Sequence, residues 1–462
     1  VTPRFQAAPL HPAERQRTLR LSVWEGFLWS IMWGFGDAYI SPYAIHLQAT
    51  PTVIALLGSV PALVGACGQW MGALLMERHG RRRELLIAMI MIQGLSFLPL
   101  FLLPLLLPQA GALCVLVTYT VASLFFGGIA PLWTSLMGDV VPDQERGHYY
   151  GARARVLNLG MIASLLGAGY LMSWASDRGH RQAGFAALFL VAALTRTGSA
   201  WLMHRHADPQ LAERPTHVLY SRAALSGMLR APYFPYLLLQ TLLGASFALA
   251  APFFGLYMLR DLGWTYPQFT AATVVFFVAQ LMCAPWWGRM CDRHGSRTVL
   301  MASGLLITVP HLLWFGPPHF YYLLWVQALN GAFSSGFGLA SGNYFFEQVP
   351  APDRARVVSL QTLVNSVANL VAAGWLGSWL VHHVPPAWAW STAHLPQPSS
   401  LPFIFLCAGL LRLALSLWLL PRLKEIPPRE PVSSRSIIRR FLLAEPLREQ
   451  MTGLAVRLTS RR

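Results

Sequence analysis

Charge is scarce in this sequence. Only 12% of its 462 residues are Asp, Glu, Lys or Arg, against ~25% in an ordinary soluble domain. So few charges cannot cover a chain that is 55% hydrophobic, which excludes a water-soluble globule. Lysine is almost missing: Lys424 is the single one, and every other basic residue is arginine. The five cysteines, Cys67, Cys114, Cys283, Cys291 and Cys407, all fall inside apolar runs, so no disulfide framework is expected. There is no Gly-rich phosphate loop with its Lys and Ser/Thr, which argues against ATP-driven work. The histidines show no metal-ligand spacing, and no catalytic triad is recognisable. No enzyme activity, cofactor or metal is therefore expected. The apolar runs do not alternate with polar residues, which argues against a membrane β-barrel. The first run also lacks the small-residue cleavage pattern of a secretory leader.

Long apolar runs are what the chain has instead. About 20 apolar residues cross the hydrocarbon layer as a helix. Twelve runs meet that length, at 22–47, 52–76, 84–107, 112–137, 151–174, 184–204, 233–258, 266–290, 298–316, 319–346, 357–382 and 401–421. They are numbered here as spans 1 to 12. The expected fold is an all-α membrane protein of twelve transmembrane helices. The net charge of +16 marks topology, not nucleic acid. Arginines crowd the leader, the loops after spans 2, 4, 6, 8 and 10, and the tail, whereas the alternate loops hold only Arg178, Arg181 and Arg260. Basic loops mark the cytoplasmic side, so both termini are expected inside, with the protein in the inner or plasma membrane.

A short basic pattern occurs twice. Glu77-Arg78-His79-Gly80-Arg81-Arg82-Arg83 follows span 2, and Asp292-Arg293-His294-Gly295-Ser296-Arg297 follows span 8. Other segments repeat at similar offsets. Gly34 to Tyr43 of span 1 aligns with Gly244 to Phe253 of span 7, setting Asp37 opposite Phe247. Asp139 with Pro142 and Arg146 aligns with Glu347, Pro350 and Arg354, and Arg196 of span 6 aligns with Arg412 of span 12. The expected organisation is a leader (1–20), a six-helix bundle (21–204), a cytoplasmic linker (205–231), a second bundle (232–421) and a basic tail (422–462). Parallel halves with a central site are a transporter architecture.

On these residues the chain resembles the major facilitator superfamily, over about residues 20–422. That family's loop pattern is met by Gly288, Asp292, Arg293, Gly295 and Arg297. The first copy departs, with Glu77 for the aspartate and Ala73 for the first glycine. The resemblance implies two pseudo-symmetric six-helix bundles, secondary active transport of a small solute, and a gate of ion pairs at the basic loops. Its residues are Glu77, Arg78, Arg81, Arg82, Asp139, Arg146, Asp292, Arg293, Arg297, Glu347 and Arg354. Asp139 is expected against the 81–83 arginines, and Glu347 against Arg293 or Arg297. Span 5 lacks the Gly-Pro of some drug exporters; its Gly167-Ala168-Gly169 stretch has no proline.

Asymmetric charges point to substrate or ion. A carboxylate near the middle of a span is costly and functional by default. Asp37 is such a group, and Gly34, Gly36 and Pro42 loosen its helix. Three roles compete for it: proton coupling, contact with a cationic or hydrogen-bonding substrate group, and structural pairing with an arginine or amide. Glu25, nearer the cytoplasmic end, is a second coupling candidate. The duplicated Arg196 and Arg412 read as structural. Gln361, Asn365 and Asn369 form an amide stripe at helical spacing on span 11. With Asn330, Asn158, Gln240 and Trp133 they are the expected lining of a substrate cavity, although intramembrane amides also join helices. The tail carries Ile437, Ile438, Phe441, Leu442, Met451, Leu454 and Leu458 among arginines. It reads either as an amphipathic segment on an anionic leaflet or as a solvated tail. The expected partners are a small-molecule substrate, protons and the lipid bilayer, with no nucleic acid, and the chain is expected to be a monomer. The competing function is a transporter-like receptor, assembly factor or lipid-handling protein.

Overall fold

A computed structural model of the chain describes residues 11–142, 145–209, 227, 229–350, 353–385, 399–424, 433–442 and 445. Among these residues there are helices and no strands. All twelve expected spans are helical. Span 1 runs as Pro12–Met32, a π segment Trp33–Asp37, and Ala38–His46. Span 2 is Pro51–His79, and span 3 is Arg82–Leu95 continued by Phe97–Leu106. Spans 4, 5 and 6 are Gly111–Val140, Arg146–Asp177 and Arg181–His204. Span 7 is Phe234–Ala248, then Ala251–Leu256 and a π segment Tyr257–Asp261. Span 8 is Tyr266–His294, and span 9 is Ser296–Leu306 with Val309–Leu313. Span 10 is Phe320–Gln348. Span 11 is Arg354–Asn369, a π segment Leu370–Gly377 and Ser378–His383. Span 12 is Leu401–Leu419. Ten of the twelve are long and apolar enough to cross a membrane by composition. Spans 1 and 10, which carry Glu25, Asp37, Asn330 and Asn343, are helical but more polar.

The chain divides into two compact units. Unit 1 comprises Val1–Leu219, Pro252–Thr270 and Ala373–Ser378. Unit 2 comprises Tyr220–Ala251, Ala271–Ala372 and Trp379–Arg462. Unit 1 thus takes in a short stretch of spans 7 and 8, where the Tyr39 and Thr270 hydroxyls lie 2.7 Å apart. Most of the linker, including 219–226, lies outside the described residues.

The glycine of each copy of the basic pattern has a conformational cause. Gly80 stands at φ 68° and Gly295 at φ 81°. Both end their helices in the left-handed region, which a side chain strains and glycine does not. The arginines that follow are thereby carried into the next helix.

Candidate functional site

Span 1 positions the central acid. Its π segment, Trp-Gly-Phe-Gly-Asp, ends on Asp37. Such single π turns concentrate at functional sites. Pro42, without an amide hydrogen, lies five residues on within the same helix. Asp37 lines a cavity of about 10 Å³ with Gln93, Ser96, Tyr119, Ser123 and the rings of Phe97 and Phe126. That is close to the space one water needs. Among the described residues Asp37 forms no ion pair.

Twelve residues earlier, Glu25 is the hub of a buried network. Its Oε1 accepts from Arg196 Nη1 at 3.4 Å and from Ser199 Oγ at 3.0 Å, and its Oε2 accepts from Arg153 Nη2 at 3.3 Å. Arg196 also donates from Nε to Gln93 Oε1 at 2.7 Å and from Nη1 to Ser199 Oγ at 3.1 Å. Glu25 is 4% exposed and Arg196 1%. Gln93 touches both systems: it lines the Asp37 cavity and holds Arg196. Spans 1, 3, 5 and 6 therefore converge on one carboxylate and two guanidinium groups. The sequence reading singled out neither Gln93 nor Ser199. A lone amide in an otherwise apolar span 3 was the available signal for Gln93.

At the basic end of unit 1, Arg82 is fully buried. It donates from Nη1 to Asp139 Oδ2 at 2.6 Å, to Ser135 O at 3.2 Å and to Ser135 Oγ at 3.1 Å. Its Nη2 donates to the Pro209 carbonyl at 2.6 Å, and its Nε lies 3.4 Å from Asp208. Arg83 Nη1 donates to the His206 carbonyl at 2.9 Å. Of the 81–83 arginines, Arg82 is the one paired with Asp139. Arg81 pairs locally with Glu84, and Arg78 is exposed. Burial pushes the His206 imidazole below its ordinary range, and its bond to the Leu202 carbonyl opposes that. The side chains of Glu77 and Arg146 lie outside the described part of the structure.

Unit 2 builds its basic end differently. Glu347 Oε1 accepts from Ser296 Oγ at 2.8 Å, and among the described residues it forms no ion pair with Arg293 or Arg297. Arg297 Nε donates to the Leu423 carbonyl at 3.1 Å. Arg354 donates to the carbonyls of Val349 and Phe346. Asp292 and Arg293 are exposed.

The polar residues expected to line a cavity are largely engaged between helices. Gln361 Nε2 donates to the Leu237 carbonyl at 3.0 Å, to Thr241 Oγ1 at 2.8 Å and to Asn365 Oδ1 at 2.8 Å. The stripe thus ties span 11 to span 7. Asn369 Oδ1 is buried, with no hydrogen-bond partner among the described residues. Gln240 bonds Tyr236 and Ser341, and Asn330 bonds Gln327 and Ser334 within span 10. Trp133 lies under the Arg153 guanidinium at 4.4 Å, one step from Glu25. Asn158 is half-buried on span 5. The duplicated arginines differ in partners: Arg412 lies 3.4 Å from the His311 ring nitrogens and 5.5 Å from the Phe247 ring, and it forms no ion pair with a carboxylate among the described residues.

Known proteins agree with this architecture. The curated relatives match in stretches. One is the class C tetracycline resistance protein of Escherichia coli, 31% identical over 23% of this chain and 28% of that protein. Another is a probable 4-methylmuconolactone transporter of Cupriavidus pinatubonensis, 26% identical over 42% of this chain and 43% of that protein. The chain thus spans less than half the length of these relatives. Solved structures match over most of the chain. The nucleoside transporter NupG superposes with a TM-score of 0.66 at 12% identity, over 89% of this chain and 99% of that one. A D-xylose-proton symporter superposes with a TM-score of 0.62 at 14% identity, over 91% of this chain and all of that one. At such identities these likenesses concern the fold alone. The profile described as Major Facilitator Superfamily matches residues 26–243 and again 236–456, and the chain belongs to that family of membrane transporters.

Proposed function

We propose that the protein is a secondary active transporter that moves a small organic solute by alternating access of its two halves, driven by protons through Asp37. It lies in the inner or plasma membrane as a monomer with both termini cytoplasmic, a reading supported by the arginine distribution. The observation that carries the proposal is Asp37 itself. It is a mid-span carboxylate at the end of a π segment, in a small cavity, without an ion pair among the described residues. Such a group is far less costly in lipid when protonated. Arg196 supports the same reading, because it is bonded to Glu25 and also to Gln93, which lines the Asp37 cavity. When Asp37 loses its proton, its new charge competes with Glu25 for Arg196. Proton release is thereby coupled to the packing of spans 1 and 6.

The test is flux into proteoliposomes under an imposed pH gradient, screened over a panel of small organic solutes. Asp37→Asn should abolish proton-driven accumulation while solute exchange continues. Accumulation in Asp37→Asn with the pH dependence of the parent protein would overturn the coupling.

A further inference from the structure

Residues Ser434–Leu442, beyond span 12, form a helix of sequence Ser-Arg-Ser-Ile-Ile-Arg-Arg-Phe-Leu. Its apolar face is already occupied. Ile437 is fully buried in the core of unit 2, with Ile438 and Phe441 packed against that core. The Phe441 ring stacks on Trp287 of span 8, with centroids 5.3 Å apart and planes at 18°. It meets Trp286 edge-on at 5.5 Å and Phe333 of span 10 at 5.2 Å. Ser434 Oγ donates to the Thr298 carbonyl of span 9 at 3.2 Å. The helix therefore rests on the sides of spans 8, 9 and 10, not on a bilayer through its own apolar residues.

That seat fixes its depth. Thr298 is the third residue of the span 9 helix, and Trp287 lies seven residues before the end of span 8 at His294. At about 1.5 Å per residue, its contacts with Trp287 and Thr298 fall within roughly the last 10 Å of spans 8 and 9 at their basic end, while the Phe441 ring reaches further in, to Phe333 near the middle of span 10. The headgroup zone of a bilayer lies at about this level.

The opposite face is basic. Arg435 and Arg439 are exposed on it, and Arg440, three residues after Ile437, is half-buried at its edge. None of the three forms an ion pair among the described residues. The described acids nearest this face do not pair with these arginines: Glu347 accepts from Ser296, Asp353 pairs with Arg356 at 2.9 Å, Asp292 is exposed, and Glu445, half-buried just beyond the helix, keeps a buried Oε2 without a hydrogen bond among the described residues. Arg422 and Lys424, on the chain leading towards the helix, are exposed cations as well. A guanidinium fork matches phosphate oxygens in geometry and charge, and anionic lipids attract such clusters at a membrane surface.

We propose that the outward face of the Ser434–Leu442 helix is a binding site for anionic phospholipid headgroups, with Arg435, Arg439 and Arg440 as its phosphate ligands. Unit 2 acts as the seat that holds these arginines level with the headgroups. The attraction is electrostatic, because the apolar residues that would insert into the bilayer are used against Trp286, Trp287 and Phe333. The proposal is independent of what the protein transports.

The experiment is a lipid titration of the full chain in detergent, with bound phosphatidylglycerol counted by native mass spectrometry against phosphatidylcholine. The parent protein should bind phosphatidylglycerol preferentially, and raising the salt should weaken that preference. Replacing Arg435, Arg439 and Arg440 together by Ser should lower the apparent phosphatidylglycerol affinity about tenfold or more. Replacing the same three by Lys should retain most of it. Equal phosphatidylglycerol binding in the parent and the serine variant would overturn the proposal. So would full competition by inorganic phosphate at equal concentration, which would mark a site for free phosphate.

Discussion

Glu25 and Asp37 are both acids of span 1, yet their surroundings separate them. Glu25 holds two arginines and a serine hydroxyl inside unit 1, whereas Asp37 has no ion pair among the described residues. Removing one member of a buried ion network leaves the others uncompensated, at a cost of about 3–5 kcal/mol. Glu25→Gln should therefore lower thermal stability markedly, and Glu25→Asp should recover part of the loss. Asp37→Asn should change stability by less than about 1 kcal/mol, because nothing charged is left without its partner. Unfolding followed in detergent by tryptophan fluorescence reads both, and equal melting temperatures for the two amide variants would contradict this assignment. Asp37 is legible in the sequence because a mid-span acid is costly wherever its neighbours lie. Glu25 is much less so, since its importance depends on Arg153 and Arg196, which only folding brings to it.

At the scale of elements, helices and their order follow from the apolar runs, and the break in span 1 falls where Gly34, Gly36 and Pro42 loosen it. The π segment of span 11 likewise holds Gly374 and Gly377, and that of span 7 follows Pro252 and Gly255, but glycine and proline recur across these spans, and packing decides in which turn the extra residue falls. The amide stripe of span 11 shows the same limit. Its spacing puts the amides on one face, but the face's neighbour, span 7, is a tertiary fact. Close helix contacts are legible only as glycines. A Cβ placed on Gly68 of span 2 would collide with the Leu124 carbonyl oxygen of span 4. Backbone cannot yield as a side chain does, so Gly68→Ala should force the two helices apart at a cost of about 1–3 kcal/mol. Gly138→Ala, where a Cβ meets nothing within 4 Å, is the control. A Gly68→Ala protein that melts with the control would show the contact to be slack.

At the scale of the whole chain, the basic pattern has the same task twice. Arg82 stands two residues after Gly80 and reaches the Pro209 carbonyl; Arg297 stands two after Gly295 and reaches the Leu423 carbonyl. Each therefore ties down the chain where it leaves the sixth span of its half. The pairing with the acid of the fourth span is not shared, since Asp139 bonds Arg82 whereas Glu347 bonds Ser296. Duplication was visible in the sequence, but this division of labour was not, because the residues at 208–209 and 423 carry no pattern of their own and contribute mainly backbone oxygens.

Arg81 and Arg82 make the decisive comparison, being adjacent and chemically identical. Arg81 is exposed and among the described residues bonds only its neighbour Glu84, at 3.4 Å, a contact worth about 0.5 kcal/mol or less. Arg82 is fully enclosed, and its loss would strand Asp139 and the Pro209 carbonyl and leave Asp208 with the Arg83 amide alone among the described residues. Arg82→Gln should therefore cost about 3 kcal/mol or more and free the start of the linker, while Arg81→Gln should be nearly silent. Limited proteolysis in the 205–230 segment reads the second effect separately from melting: Arg82→Gln should be cut faster at temperatures where its helices are intact. If both variants are cut at the parental rate, the linker does not depend on Arg82, and the repeated arginine serves the acid of span 4 alone.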